Sequence, residues 1–142
     1  MNILVDTCIW SLALRRSIVQ DVPEIKELSE LIYEQRVLFL GIVRQEILSG
    51  IRDETQFISL RDHLRAFPDV PYEQADFECA AEYYNICRKN GVQGSNADFL
   101  ICAVSNRMNA PIFTTDSDFL NYSRFLPIKL HDPRPLLGLI GN

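Results

Sequence analysis

The chain has 142 residues, 47% of them hydrophobic and 23% charged, with a formal net charge of −5 and a pI near 5.0. That length suits one domain whose core needs no disulfide or metal, and the composition excludes an intrinsically disordered chain. The acidic balance excludes a protein that coats nucleic acid non-specifically, although acids gathered around a cation would present a local field that the net charge misrepresents.

The first segment, Asn2-Ile3-Leu4-Val5-Asp6-Thr7, is a short apolar run closed by a carboxylate and a hydroxyl, which reads as a buried strand of a parallel sheet. Ligand crevices of open α/β sheets lie beyond the carboxyl ends of the strands, so Asp6 is expected at the floor of a site. Thr7 to Arg16 reads as a helix against the sheet, with Trp10 in the core beside Ile9 and Leu12. A second helix starts at Pro23, with Ile25, Leu28, Leu31 and Ile32 at helical spacing. Leu28, Leu31, Ile32 and Tyr33 offer an apolar face for association. Val37 to Gly41 is a second buried strand, and Ile42 to Ile51 a helix on which Glu46 is expected to point partly inward. Glu54 to Ala66 continues as helix, and Phe67 to Pro71 reads as a short edge strand, since two prolines suit an edge.

The stretch Glu73 to Lys89 predicts a long helix with Phe77, Ala80, Ala81 and Tyr84 as its inner stripe, closed by Asn90-Gly91. Asn96 to Met108 predicts a helix apolar nearly all round, with Asn96 as its N-cap and Asp98 in its first turn, where the dipole favours negative charge. Pro111-Ile112-Phe113 begins a further strand, Asp116 to Tyr122 a short helix, Leu126 to Leu130 a last strand, and His131 to Asn142 a tail. Strands alternating with helices predict an α/β fold, a three-layer α/β/α sandwich with a central parallel sheet, in a single domain over 1–142.

No basic start precedes the first strand, and no apolar run approaches the ~18 residues of a membrane span, so a cytoplasmic protein without membrane association is expected. Cys8, Cys79, Cys87 and Cys102 form no Cys-x-x-Cys pair and are expected as reduced thiols. His63 and His131 have no partner at metal-ligand or triad spacing and read as surface or packing residues.

In such a layout Asp6, Asp98 and Asp116 flank one carboxyl edge of the sheet, and Glu46 enters from a helix. Two ionised carboxylates ~5 Å apart repel by roughly 3 kcal/mol at an effective dielectric of 20. Either some are protonated or a cation sits among them. Oxygen ligands select magnesium or manganese over zinc, and the chemistry that follows is phosphodiester hydrolysis. Thr114 is placed to hydrogen-bond a neighbouring carboxylate such as Asp6, while Thr7 reads either as a helix N-cap or as a second supporting hydroxyl. Arg44, Arg15 and Arg16, with Arg88, Lys89 and Arg107, are candidates to contact the phosphates of a nucleic acid on the approach to the acids.

The segments Leu4-Val5-Asp6-Thr7, Arg44-Gln45-Glu46-Ile47-Leu48-Ser49-Gly50, Ala97-Asp98-Phe99-Leu100-Ile101-Cys102-Ala103 and Phe113-Thr114-Thr115-Asp116-Ser117-Asp118-Phe119 resemble the four acidic motifs of the PIN domain. Their order and spacing are similar in particular to the toxin ribonucleases of VapBC toxin–antitoxin systems. The resemblance spans nearly the whole chain and rests on the set of four. It implies that Asp6, Glu46, Asp98 and Asp116 form a catalytic metal site that Thr114 helps to hold. It further implies Mg2+- or Mn2+-dependent cleavage of RNA, a homodimer, and neutralisation by a cognate antitoxin. Two positions depart from the pattern. Cys8 stands where such proteins often have Asn or Ser, and Asp118 follows Asp116 so closely that either can meet the metal, Thr114-x-Asp116 being the better fit. Two other readings compete: a housekeeping nuclease without an antitoxin, and a non-catalytic module that binds a protein partner.

Overall fold

The computed structural model describes residues 1–15 and 22–136. The elements run β1 (Ile3–Val5), α1 (Thr7–Leu14), α2 (Pro23–Tyr33), β2 (Val37–Leu38), α3 (Gly41–Leu48), α4 (Glu54–Leu64), α5 (Gln74–Lys89), α6 (Asn96–Met108), β3 (Ile112–Phe113) and α7 (Ser117–Tyr122). The sheet is parallel in the order β2-β1-β3, with Ile3 opposite Val37, Leu4 opposite both Leu38 and Ile112, and Val5 opposite Phe113.

Alternate side chains of a strand point to opposite faces, yet Ile3, Leu4 and Val5 are all fully buried. Both faces of β1 are therefore covered, which is the layered α/β sandwich expected. The run of branched apolar residues is the local cause, since a strand buried on both sides needs no polar alternation. Around it pack Phe39, Leu40, Phe99, Ile101, Phe113, Phe119 and Tyr122, with α5 lying along α6. Trp10 joins Phe39 and Phe67 in an edge-packed aromatic group with centroids 5.1 to 5.8 Å apart.

Five expectations are corrected. The strands expected at Phe67 to Pro71 and Leu126 to Leu130 shrink to single bridges, Phe39 to Asp69 and Ile112 to Leu130, because prolines deprive both segments of ladder donors. The N-cap of α6 is Ser95, whose hydroxyl accepts from the Asp98 amide at 3.1 Å; Asn96 is the first helical residue. On α5 the buried positions are Asp76, Tyr83 and Cys87; of the expected stripe Ala80 and Tyr84 do pack, partly buried, against the core, while Phe77 is 52% exposed and Ala81 faces out. A carboxylate begins that stripe because Arg107 from α6 grips both of its oxygens at 2.8 and 3.0 Å, and reading apolar residues alone turns the helix by one position. Leu28 and Leu31 of α2 lie in the protein's own core, so only Ile32 and Tyr33 of the expected association face are exposed.

His131 and Arg134 tie the segment after β3 back to α2. Both donate to Glu27, which is 2% exposed, from Nε2 at 2.6 Å and Nε at 2.8 Å. The cysteines are free thiols. Among the described residues no helix is long and apolar enough to cross a membrane.

Candidate active site

Asp6 follows the last residue of β1 in extended conformation and caps α1, its Oδ1 accepting from the Thr7 amide at 2.7 Å. Its Oδ2 accepts from the Thr114 hydroxyl at 2.8 Å, the contact expected from sequence. The residue is only 6% exposed. Burial pushes its carboxyl above the usual range, hydrogen bonds from Thr114, Thr7 and Cys8 pull it back, and the charge of Glu46 adds to the rise.

Asp98 stands in the first turn of α6, half-buried. Desolvation raises its pKa, the Tyr122 hydrogen bond opposes that, and the charges of Asp6 and Asp116 raise it further. Tyr122 is fully buried and donates to Asp98 Oδ2 at 2.7 Å, and its own pKa is pushed up by burial and by that bond, so it remains a neutral donor. Glycine at 94 makes this contact possible. A Cβ there would lie 2.4 Å from Tyr122 Oη and 2.8 Å from the Phe99 ring.

Asp116 caps α7, accepting from the Asp118 amide at 2.9 Å, while its own amide donates to Thr114 Oγ1 at 3.0 Å. Thr114 thus joins the acid of β1 to the acid after β3. Asp98, Asp116 and Asp118 each bring a carboxylate oxygen to within 4.8 Å of the others. Glu46 is exposed, which corrects its expected inward direction, and its Oε1 accepts from the Thr7 hydroxyl at 2.6 Å. The N-cap alternative for Thr7 gives way, since Asp6 caps α1 and the Thr7 side chain reaches Glu46 instead.

Cys8 occupies the gap between the two acid-bearing segments. Its sulfur accepts from the Thr115 amide at 3.3 Å and the Thr115 hydroxyl at 3.4 Å, and lies 3.2 Å from Thr114 Oγ1 and 3.6 Å from Asp6 Oδ2. The thiol makes these contacts at the longer and weaker distances of sulfur.

Among the described residues none of the five carboxylates of Asp6, Glu46, Asp98, Asp116 and Asp118 takes part in an ion pair. All-oxygen donors, two of them desolvated and none neutralised, match the donor chemistry of a hard divalent cation such as magnesium or manganese. The residues present therefore fit such an ion.

The arginines behave differently from expectation. Arg44 is not directed at the acids. Its Nε and Nη2 bind Asp69 at 3.1 and 2.7 Å, Nη1 and Nη2 bind the carbonyls of Leu64 and Phe67, and the guanidinium lies 4.6 Å over the Phe39 ring. That commits four of its donors to holding α3 against the end of α4 and the chain after it. Arg107 is likewise held by Asp76, Glu73 and the Pro71 carbonyl. Arg15 closes α1 and lines a wide groove with Leu14, Ile47 and Ile51, while Arg16 lies outside the described residues. Tyr122 is the site residue that sequence reading missed, since no spacing links it to Asp98 across 24 positions.

The family model described as PIN domain matches residues 3–124. Among solved structures, the chain is similar to FitAcB from Neisseria gonorrhoeae, with a TM-score of 0.74 and 20% identity over 92% of this chain and 97% of that one. VapBC2 from Rickettsia felis, bound to a DNA fragment from its promoter, gives a TM-score of 0.74 and 19% identity over 92% of this chain and 98% of that one. VapBC-1 from nontypeable Haemophilus influenzae gives 0.72 and 16% over 93% and 98%. At these identities the likeness is one of fold. No curated protein matches in sequence.

Proposed function

The chain belongs to the PIN domain family, and from that premise we propose that it is a divalent-cation-dependent endoribonuclease acting as the toxin of a type II toxin–antitoxin pair. The observation that carries this reading is the group formed by Asp98, Asp116 and Asp118, with Asp6 near enough for its charge to raise the Asp98 pKa and Glu46 near enough to raise that of Asp6, none of the five in an ion pair among the described residues.

Asp98, Asp116 and Asp118, with Asp6 behind them, would hold magnesium or manganese. A bound divalent cation supplies Lewis-acid activation of water and neutralises charge on the scissile phosphate. The protein's own residues do the positioning. Thr114 fixes the rotation of the Asp6 carboxylate, and Tyr122 takes one oxygen of Asp98, leaving the other for the ion. Glu46, exposed and steadied by Thr7, is the residue we assign to accept a proton from the attacking water. Asp118 joins the acids assigned to the ion, and Arg44 is assigned to tethering α3 rather than to RNA.

We further assign a single domain over 1–142, a homodimer and a cytoplasmic location. The cognate antitoxin is proposed because three solved complexes of this fold are FitAcB and VapBC assemblies. The test is cleavage of mixed-sequence single-stranded RNA by the purified chain in manganese, against EDTA and against Asp98→Asn. Cleavage that needs the metal and is lost in the variant is expected. Metal-independent cleavage, or full activity in Asp98→Asn, contradicts the assignment.

A further inference from the structure

Beside the acids lies a smaller concavity of about 220 Å3, lined by Tyr84, Arg88, Val92, Gln93, Gly94 and Phe99. The backbone of Gly94 forms the wall between the two. A Cβ at 94 would stand 2.4 Å from Tyr122 Oη, and that oxygen is 2.7 Å from Asp98 Oδ2. With a carbon–carbon bond of about 1.5 Å, the Gly94 Cα is then within about 7 Å of the Asp98 carboxylate. That places the Gly94 edge of the pocket next to the Asp98 side of the acidic site.

The lining has the chemistry of a nucleotide site. Arg88 makes no ion pair among the described residues, unlike Arg44, Arg107 and Arg134, and its Nη1 donates only to Tyr84 Oη at 3.3 Å. No carboxylate lines the pocket, so the guanidinium is available to an anion from outside. The Tyr84 ring is braced edge-on by Phe99, with centroids 5.7 Å apart and planes at 79°, which fixes an aromatic platform at small entropic cost. Gln93 is exposed and carries both a donor and an acceptor for a base edge. The volume is below the roughly 300–1,000 Å3 of pockets for drug-sized ligands, which suits one nucleotide and no more.

We propose that this pocket receives one nucleotide of single-stranded RNA flanking the cleaved bond, with Arg88 on its phosphate and Tyr84 and Gln93 on its base, and so sets sequence preference. The assignment rests on the nuclease reading above.

The test uses the full chain and a fluorescein-labelled, mixed-sequence single-stranded RNA, followed by anisotropy in EDTA across a salt titration, so that binding is read without cleavage. Arg88→Gln is compared with wild type and with Arg61→Gln, a half-buried α4 arginine paired with Asp62 that lines neither site. Arg88→Gln is expected to weaken binding about tenfold and to lower the slope of log K against log salt by ~0.7, the value for one phosphate contact on a single strand. In manganese it raises KM more than it lowers kcat, and Tyr84→Leu relaxes the base preference next to the cut. Wild type that binds and cleaves, alongside an Arg88→Gln variant with the affinity and salt slope of Arg61→Gln, overturns the subsite and leaves the nuclease reading intact. Wild type that neither binds nor cleaves overturns both.

Discussion

Replacing Asp98 by Asn separates the cost of the acidic cluster from its use. Asp98 shares a neighbourhood with Asp116 and Asp118, their oxygens lying within 4.8 Å of one another. At that distance two unit charges repel by ~3.5 kcal/mol at an effective dielectric of 20 and by ~0.9 kcal/mol in bulk water. Asp116 and Asp118 are exposed, so screening puts each pair near the lower figure, and removing one charge relieves about 2 kcal/mol across both pairs. Against this, the Tyr122 hydrogen bond loses a charged acceptor, which costs about 1 kcal/mol. Without metal, Asp98→Asn is therefore expected to be more stable than wild type by about 1 kcal/mol at neutral pH, raising Tm by about 2–4 °C.

The sign with pH follows from linkage. Burial holds the Asp98 carboxyl above its ordinary 3.8, so the destabilisation begins as pH rises past that ordinary value, where the unfolded chain ionises first, and is complete once pH exceeds the raised one. The advantage of the variant should be absent below that ordinary value and grow as the carboxyl ionises. Manganese should invert the order, since an ion at a hundred times its Kd stabilises wild type by ~2.7 kcal/mol and the variant loses most of that term. Thermal melts in EDTA and in manganese, across pH, read all of this. A variant less stable than wild type at neutral pH in EDTA, or one that keeps the full manganese shift, refutes the account of a strained cluster made tolerable by a cation.

Tyr122→Phe keeps the buried ring but strips Asp98 of its donor, so it should cost about 1–3 kcal/mol of stability and weaken manganese binding, measured by titration calorimetry. Gly94→Ala drives a methyl into Tyr122 and Phe99 and is expected to destabilise by about 1–3 kcal/mol in urea unfolding, a loss that an open loop position would not show. Arg44→Gln breaks the tether to Asp69, Leu64 and Phe67, lowering stability by about 1–3 kcal/mol in the same assay while leaving RNA affinity unchanged; a drop in affinity at equal folding would restore Arg44 to the substrate path. Burial alone raises Glu27, but hydrogen bonds from Arg134 and His131 outweigh it and leave its carboxyl below its ordinary 4.5. The stability it contributes is complete above that value and is lost as pH falls through the lowered one, so Glu27→Gln should flatten the acid limb of the urea midpoint against pH.

The sequence by itself determined the order of the helices, the three strands that form among five expected, the buried β1 and the four segments that deliver acids, because these follow from local signals: an apolar run closed by Asp6, a proline at 23, a helix ending at Asn90-Gly91. It did not determine which face of α5 turns inward, because the buried Asp76 is stabilised by Arg107, 31 residues away. Nor did it place Asp118 beside Asp98, leave Glu46 at the rim, commit Arg44 to Asp69, or bring Tyr122 onto the site. Those outcomes depend on contacts such as Thr114 to Asp6, 108 positions apart, whose distances exist only once the layers are packed. Periodicity tells a residue which side of its own element it lies on. The tertiary structure decides what waits there, because a carboxylate's partner is chosen by a few ångströms that no local pattern encodes.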